Sequence, residues 1–232
     1  MFPIKDTIPH IGFPAITWAI IALNGVIFLF EISIPPDVLQ QLLFFFGLVP
    51  ARHGFKIDDY LPFLTSMFLH GGLLHIIGNM WFLHIFGSSV EDRMGHLRFL
   101  IFYLLSGVCA NVFYFLIAIH SKVPELGASG AIAGVMGAYI VMFPGARIIT
   151  MFLIVIFPIF VEISVFFYVG FWFLMQIFSG VLSLGSEEAG GVAWWAHIGG
   201  FIAGILLFPF FRNRRSPRRK VYPDEVHHLI GR

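Results

Sequence analysis

Long runs of apolar residues alternate with short polar stretches along the chain, and this pattern predicts helices that cross a lipid bilayer. The first three runs occupy residues 15–33, 61–86 and 97–119. A run of about 20 apolar residues can span the hydrocarbon core, where a helix satisfies its own backbone polar groups. We therefore predict an all-α membrane protein whose first three spans lie at these positions.

The stretch at 34–60, between the first two runs, mixes apolar and polar residues. It begins with two prolines and continues with leucines, phenylalanines and several charged residues. This mixture is too polar to cross the bilayer and too apolar to remain fully in water. It predicts an interfacial first loop with short amphipathic helices.

A shorter apolar run at 128–143 predicts the fourth span. A helix of this length extends about 24 Å, which is less than the ~30 Å of hydrocarbon that it has to cross. The loop before it must therefore dip inward, and Ser129 would begin below the membrane surface.

The last part of the apolar pattern predicts two more spans, which makes a six-helix bundle. Residues 148–182 are too many for one helix and too few for two spans, and Pro158 and Glu162 interrupt them. We therefore predict an interfacial segment at 148–158, a fifth span at about 160–182 and a sixth span at 192–211.

The distribution of basic residues supports six spans with both termini in the cytoplasm. In that arrangement the inner segments carry eleven Lys or Arg residues, and the outer loops carry only Arg52, Lys56 and Lys122. Inner segments normally hold the excess of positive charge, whereas a seventh span would place the basic tail outside. The chain would then divide into a cytoplasmic N-terminus at 1–14, a membrane domain at 15–211 and a basic cytoplasmic tail at 212–232.

Composition agrees with a membrane protein and excludes several other classes. Hydrophobic residues make up 58% of the chain and charged residues only 12%, whereas a soluble domain would be about one quarter charged. The net charge of +1 gives no case for a nucleic-acid partner. The single cysteine, Cys109, excludes both an internal disulfide and a metal site built from cysteines.

One serine and one histidine lie in segments rich in small residues. The sequence Gly127-Ala128-Ser129-Gly130 opens the fourth span, and His197 opens the sixth span ahead of Gly200 and Gly204. Ser129 alone could be a simple helix cap. The glycines, however, allow two helices to approach closely, either within one chain or between two copies. Because both spans run from outside to inside, Ser129 and His197 should lie at the same depth.

A serine and a histidine at matching depth predict nucleophilic chemistry. A neutral imidazole can take the proton of a serine hydroxyl and so make it a nucleophile. The usual third member, a carboxylate, is missing, because Glu31 and Glu162 are expected near the membrane edges. We therefore predict a Ser129–His197 dyad whose imidazole is held by packing.

The second span adds polar groups that could stabilise an oxyanion. His75 and Asn79 are four residues apart, so both project from one helix face. Their side chains and the Ser129 N–H are the candidate oxyanion donors. An interhelical hydrogen bond, worth about 0.6 kcal/mol, is an equally good explanation of the pair. Without a nearby acid or cysteine, the pair is a poor metal-ligand set.

At these residues the sequence resembles the rhomboid intramembrane serine proteases, over almost the whole chain. Gly127–Gly130 resembles the G-x-S-G nucleophile motif of that family, and Ala196–Gly204 resembles its base-bearing helix. The stretch His70–Asn79 is similar to the second-span motif, and Glu91–Gly95 is similar to the E-x-R-x-G turn.

The resemblance implies a six-helix rhomboid-like bundle that cleaves transmembrane segments of other membrane proteins through an acyl-enzyme, without metal or cofactor. Its partners would be those segments and the lipid bilayer, and its location a bacterial inner (plasma) membrane. Ser129 and His197 would be catalytic, with His75, Asn79 and the Ser129 N–H at the oxyanion. The glycines of the two motifs (Gly127, Gly130, Gly200 and Gly204) would support them.

One departure from the family concerns the position four residues after the serine, which is often aromatic and stacks on the histidine. Here it is Ala133, and Trp194 or Trp195 is a candidate replacement. The resemblance also implies a lateral gate in the phenylalanine-rich fifth span, with the loop at 185–191 as a cap. The simpler interpretation of most of those phenylalanines is a lipid-facing surface.

Two other functions fit parts of the sequence. A catalytically silent, rhomboid-like binder or chaperone of membrane helices would be expected to lack the serine or the histidine, and this chain has both. A small-solute transporter would be expected to show an inverted repeat or a charged residue near the middle of the membrane. The sequence has no obvious example of either.

Overall fold

The computed structural model of the chain describes residues 2–52, 54, 57–154, 156–183 and 194–213. Helices dominate it. In chain order they are α1 (Ala15–Ser33), α2 (Pro36–Phe46), α3 (Pro62–Thr65), α4 (Leu73–Phe82), α5 (Ser88–Met94), α6 (His96–Ile117), α7 (Ser129–Met142), α8 (Val165–Ser183) and α9 (Trp194–Phe211). Short 3-10 turns at Pro50–Arg52, Ile57–Tyr60 and Ser66–Phe68 connect some of them.

Five of these helical segments are long and apolar enough to cross a membrane. They are α1, α6, α8, α9 and the continuous segment Leu73–Met94, in which a π-helical turn at Leu83–Gly87 joins α4 to α5. The shorter apolar helix α7 occupies the place of the predicted fourth span. The predicted helical membrane bundle is therefore confirmed, with five helices of spanning length and one that is shorter.

The second span begins later than the sequence predicts. It starts at Leu73 and not at residue 61, and it ends at Met94 and not at residue 86. The apolar residues before it form α3 and a 3-10 turn, and Gly71 and Gly72 separate that turn from α4. Glycine is a poor helix former, and an uninterrupted apolar run does not reveal such a break. His70 consequently precedes the helix.

A small antiparallel sheet corrects the prediction of an entirely helical chain. Strand β2 (Arg147–Ile154) lies in the middle, between β1 (Phe2–Asp6) and β3 (Phe157–Ser164). Most of the residues predicted as an interfacial segment belong to β2 and the start of β3, and the fifth span, α8, begins at Val165 and not at about residue 160. Isoleucines and a threonine in β2 favour extended backbone. Pro158 is tolerated because β3 is an edge strand.

The N-terminal strand is tied to the helices through one buried carboxylate. Asp6 accepts hydrogen bonds from the hydroxyls of Ser89 on α5 (2.6 Å) and Tyr139 on α7 (2.7 Å). Burial raises the pKa of Asp6, although these two hydrogen bonds oppose the shift. The contact links the sheet to the end of the bundle opposite Ser129.

Glu91, which lies on α5, stabilises the beginning of α1. Its carboxylate accepts hydrogen bonds from the N–H groups of Ile16 (2.8 Å) and Thr17 (2.7 Å) and from the Thr17 hydroxyl (2.7 Å). The first N–H groups of a helix have no partner within it, and negative charge is favourable there. Glu91 therefore acts as a helix cap from a distant part of the sequence.

Helix α7 lies at the centre of the bundle and meets α9 through glycines. A Cβ atom on Gly204 would lie 1.9 Å from the carbonyl oxygen of Gly134, and one on Gly200 would lie 2.0 Å from that of Gly130. The two helices run in parallel with their backbones in contact. The small-residue faces predicted from the sequence thus meet within one chain.

The loop between α6 and α7 is attached to the first loop beside a buried acid. Glu125 is only 7% exposed, and its backbone exchanges two hydrogen bonds with that of Leu48, at 2.8 and 3.1 Å. Burial raises the pKa of the Glu125 carboxyl from an ordinary value of 4.5 to about 8.

We expect the contribution of Glu125 to the stability of the protein to fall as the pH rises from about 5 to about 8, and to level off above that range. Between the two pKa values the folded protein keeps the proton while the unfolded chain has lost it. Each rise in pH within this range therefore lowers the part of the free energy of unfolding that Glu125 contributes. Glu125→Gln should remove this contribution. The melting temperatures of the parent and the variant, measured in detergent at a series of pH values, should therefore differ in their dependence on pH.

Glu162→Gln on β3 is the matched control, because it also removes one carboxyl but from a side chain that is 33% exposed. It should leave the slope unchanged. A Glu125→Gln protein with the same pH dependence as the parent would contradict the assignment.

Candidate active site

Ser129 is the first residue of α7, at the end of a loop that enters the bundle. Its backbone N–H is one of the N–H groups that a helix leaves without an internal partner. The helix behind it is almost completely buried, so Ser129 is fixed relative to its neighbours. A hydroxyl and a free N–H are therefore presented from one rigid position.

Gly127 brings the loop against α4, and no other residue would fit there without strain. Its φ of +117° lies in a region that side chains rarely adopt. A Cβ atom would lie 2.7 Å from Nε2 of His75 and 3.3 Å from Nδ2 of Asn79. The glycine in the serine motif thus allows the Ser129 loop to contact both polar residues of α4.

His197 lies in the first turn of α9 and faces Ser129. Its Nε2 atom is 2.7 Å from the Ser129 Oγ, which is a hydrogen-bonding distance. The two residues are close because Gly200 contacts Gly130 and Gly204 contacts Gly134, which brings the two backbones together within the next two turns of each helix. The sequence predicted this pair from matching depth, and the structure places them side by side.

The other nitrogen of His197 contacts a polar residue that the sequence did not predict at the site. Its Nδ1 lies 2.7 Å from Oε1 of Gln176, which projects from α8 and is 5% exposed. The prediction that packing alone orients the imidazole therefore missed a polar partner. A sequence signal was present, because Gln176 is the one strongly polar residue between Val165 and Ser183.

Two tryptophans also pack on the imidazole. The Trp172 ring lies 5.9 Å from the His197 ring at 35°, and the Trp194 ring lies 6.2 Å away, edge to face. Ala133, where the family often has an aromatic residue, is fully buried. Of the two predicted candidates Trp194 contacts the ring, and Trp172 was missed.

His75 and Asn79 lie on α4 and complete the wall around Ser129 and His197. All four side chains line one cavity of about 790 Å³. The amide nitrogen of Asn79 is buried without a hydrogen-bond partner among the residues that the structure describes. A buried donor without a partner is unfavourable, so it is available to a group that enters the cavity.

Most of the remaining cavity wall is apolar. The apolar residues are Leu73, Leu74, Phe82, Leu126, Ile132 and Met136. A cavity with a few polar groups in an apolar wall is typical of a site that binds an apolar ligand and orients it.

Within the described ranges, no group of three or more His, Cys, Asp or Glu side chains could hold a metal ion. The absence of a metal and a cofactor from the reaction stays a prediction.

The fifth span fits the lipid-facing interpretation for most of its phenylalanines. Phe166, Phe167, Phe171 and Phe178 are each more than half exposed, whereas Phe173 stacks on Phe201 of α9 at 4.3 Å. The predicted cap at 185–191 lies outside the described residues, as does the basic tail beyond residue 213.

Comparisons with known proteins agree with this architecture. The family model described as Rhomboid domain matches residues 58–214, a range that contains all the candidate site residues. Over 218 residues the chain is 30% identical to the mouse (Mus musculus) presenilin-associated rhomboid-like protein, mitochondrial. That alignment covers 88% of this chain and 52% of the mouse protein.

Matches also come from plants and bacteria. The chain is 33% identical over 99 residues to RHOMBOID-like protein 9, chloroplastic, of Arabidopsis thaliana, with 40% of this chain and 22% of that protein covered. It is 30% identical over 130 residues to "Putative rhomboid protease YdcA" of Bacillus subtilis (strain 168), with 56% and 63% covered. The chain spans about half the length of the mouse relative.

The fold defines a multi-pass integral membrane protein in which polar side chains from three helices, α4, α7 and α9, line one cavity. The family match extends over more than half of the chain. The chain belongs to the rhomboid family.

Proposed function

We propose that this protein is an intramembrane serine endopeptidase that cleaves transmembrane segments of other membrane proteins. The observation that carries the proposal is the 2.7 Å contact between the Ser129 Oγ and the His197 Nε2 at the wall of a largely apolar cavity. Serine and imidazole at this distance form the nucleophile and base of an acyl-transfer site. The name of the Bacillus subtilis relative includes the same class of activity.

Acylation follows from this geometry. The Ser129 hydroxyl donates its proton to the His197 Nε2 as its oxygen attacks the carbonyl carbon of the scissile peptide bond. The imidazolium then gives that proton to the leaving amine, and the C–N bond breaks. The part of the substrate N-terminal to the cleaved bond remains attached to Ser129 as an ester, through its carbonyl carbon, and the C-terminal part leaves with a free amine.

Deacylation reverses the roles with water in place of the serine. His197 takes a proton from a water molecule as the water attacks the ester carbonyl, and then returns it to the Ser129 oxygen. The products are a free carboxylic acid and the original enzyme. Both steps use only residues of this chain and one water molecule.

The negative oxygen of each tetrahedral intermediate needs hydrogen-bond donors. We assign this role to the Asn79 amide, the His75 ring and the Ser129 N–H, which lie around the same cavity. The unpartnered Asn79 amide supports the assignment, because a donor held ready before reaction does not have to reorganise.

We further propose a plasma-membrane location with both termini in the cytoplasm. The inner segments carry eleven Lys or Arg residues and the outer loops carry three, and this difference supports the orientation. In this orientation Ser129 lies toward the outer side of the bilayer, and the sheet lies at the cytoplasmic side.

Reconstitution in liposomes with a panel of single-span membrane proteins tests the proposal. Products that appear with the parent protein and not with Ser129→Ala protein would support a serine endopeptidase. Stable binding of the same substrates without any product would contradict it and favour the catalytically silent binder of membrane helices.

Asn79→Ala should lower the turnover number while leaving substrate affinity unchanged. Loss of one oxyanion donor costs about 10²–10³ in rate in a well-studied serine protease, and we expect a decrease of that order. Single-turnover cleavage and substrate binding should be measured separately. A fully active variant with a lower melting temperature would assign Asn79 a structural role.

A further inference from the structure

We infer that Gln176 is a positioning residue that fixes the tautomer and orientation of His197. This inference rests on the proposed protease function. It assigns to a neutral amide of α8 the place that a carboxylate takes in many serine proteases.

The hydrogen bonds of Gln176 determine which way its amide points. The Nε2 group donates to the backbone carbonyl oxygen of Trp172, at 3.0 Å. A carbonyl oxygen can only accept, so the nitrogen of the amide must face Trp172 and the oxygen must face away from it. Oε1 is the atom that lies 2.7 Å from the His197 Nδ1.

The orientation of the amide in turn determines the state of the imidazole. Because Oε1 can only accept, His197 must carry its proton on Nδ1 and donate it to Gln176. A neutral imidazole with a proton on Nδ1 has a free lone pair on Nε2. That lone pair faces the Ser129 hydroxyl at 2.7 Å, so the base is ready to accept the proton.

The opposite tautomer would block the reaction. With its proton on Nε2, His197 could only donate to the Ser129 oxygen, and its bare Nδ1 would face the lone pairs of Gln176. In a well-studied serine protease, a change that leaves the wrong tautomer lowers kcat by about 10⁴. Gln176 excludes this state without a charge, which suits a site among apolar helices.

Packing by the tryptophans does not replace this contact. Trp172 and Trp194 limit the tilt of the ring, but their rings do not distinguish the two nitrogens. Trp172 contributes in a second way, because its carbonyl oxygen fixes the Gln176 amide. The two tryptophan rings therefore pack against the imidazole, and the hydrogen bond to Gln176 fixes its Nδ1.

The first test compares variants at position 176 by kinetics. Gln176→Leu, which removes the acceptor, should lower kcat by about 10- to 100-fold with unchanged KM, less than the full cost of a lost charged partner. Gln176→Glu keeps an acceptor oxygen and should restore most of the lost kcat. Loss of activity in both variants to the same extent would overturn the inference.

A matched control removes a similar amide elsewhere. Asn24 on α1 is also buried. Its amide nitrogen donates to the carbonyl oxygen of Ile20, four residues earlier, at 2.8 Å. Asn24 does not line the cavity. Asn24→Leu should leave both kcat and KM unchanged, because it removes the same kind of local hydrogen bond without affecting His197.

The second test reads the tautomer directly, by NMR of full-length protein with ¹⁵N-labelled histidine in detergent micelles. The His197 signals are identified by their loss in His197→Ala. The parent and Asn24→Leu should show one tautomer with Nδ1 protonated, and Gln176→Leu should show a mixture. A single unchanged tautomer in Gln176→Leu would overturn the inference. Because no substrate is needed, a parent protein that cleaves nothing would count against the protease proposal alone.

Discussion

Ser129→Ala and His197→Ala should each abolish cleavage of a reconstituted substrate while leaving the protein folded. The serine supplies the atom that attacks, and the imidazole supplies the base 2.7 Å away, so neither acts without the other. In a soluble serine protease, loss of either residue costs about 10⁶ in kcat. We expect a loss of about 10⁴-fold or more here, down to the detection limit.

The double variant should be no worse than either single variant, because residues that act as one unit give strongly non-additive effects. Ser106→Ala and His84→Ala are suitable controls. Ser106 is fully buried on α6 and His84 belongs to the π-helical turn, and neither lines the cavity. Both should cleave at parent rates. Substantial cleavage by purified Ser129→Ala protein would end the serine-protease interpretation.

Gly204→Ala should prevent stable folding although it adds only one methyl group. The new Cβ would lie 1.9 Å from the carbonyl oxygen of Gly134 and 2.6 Å from its Cα, so backbone would have to move. Overpacking against side chains typically costs about 1–3 kcal/mol, and a clash between two helix backbones should exceed that range. We expect a sharply lower melting temperature and loss of cleavage.

Gly170→Ala on α8 is the control for the same substitution within a helix. A Cβ atom at this position has nothing within 4 Å, so the change should leave stability unchanged or raise it slightly. Melting temperature and cleavage should be measured for both variants. A Gly204→Ala protein that melts like the parent would show that α7 and α9 separate easily, which would contradict the close contact between Gly204 and Gly134.

The sequence predicts most of the apolar helices and the candidate pair, because apolar runs and neighbouring glycines can be identified without knowledge of the fold. A span requires only a run of apolar residues, and Ser129 and His197 are identified by the glycines beside them. Matching depth of the two residues follows from topology alone.

The contacts that the sequence does not predict depend on which elements become neighbours. Gln176 is an ordinary polar residue until α8 packs beside α9 and brings its amide to His197. The strand β2 is as apolar as the helices. It pairs with residues near the N-terminus that are about 140 positions away in the chain, as in the hydrogen bond from the Arg147 N–H to the Thr7 hydroxyl oxygen. Apolar content alone does not determine which structure such a segment adopts.

The contact between α7 and α9 also bears on when the site comes into existence during synthesis. Ser129 and His197 are 68 residues apart in the chain, and α9 follows every other described element. Until α9 has entered the membrane, the serine has no base, and Gly130 and Gly134 of α7 lack the two glycines of α9 that they contact. A partly made chain would therefore hold the nucleophile in an unreactive form. The proposed protease activity would begin only once α9 has entered the bilayer and packed against α7.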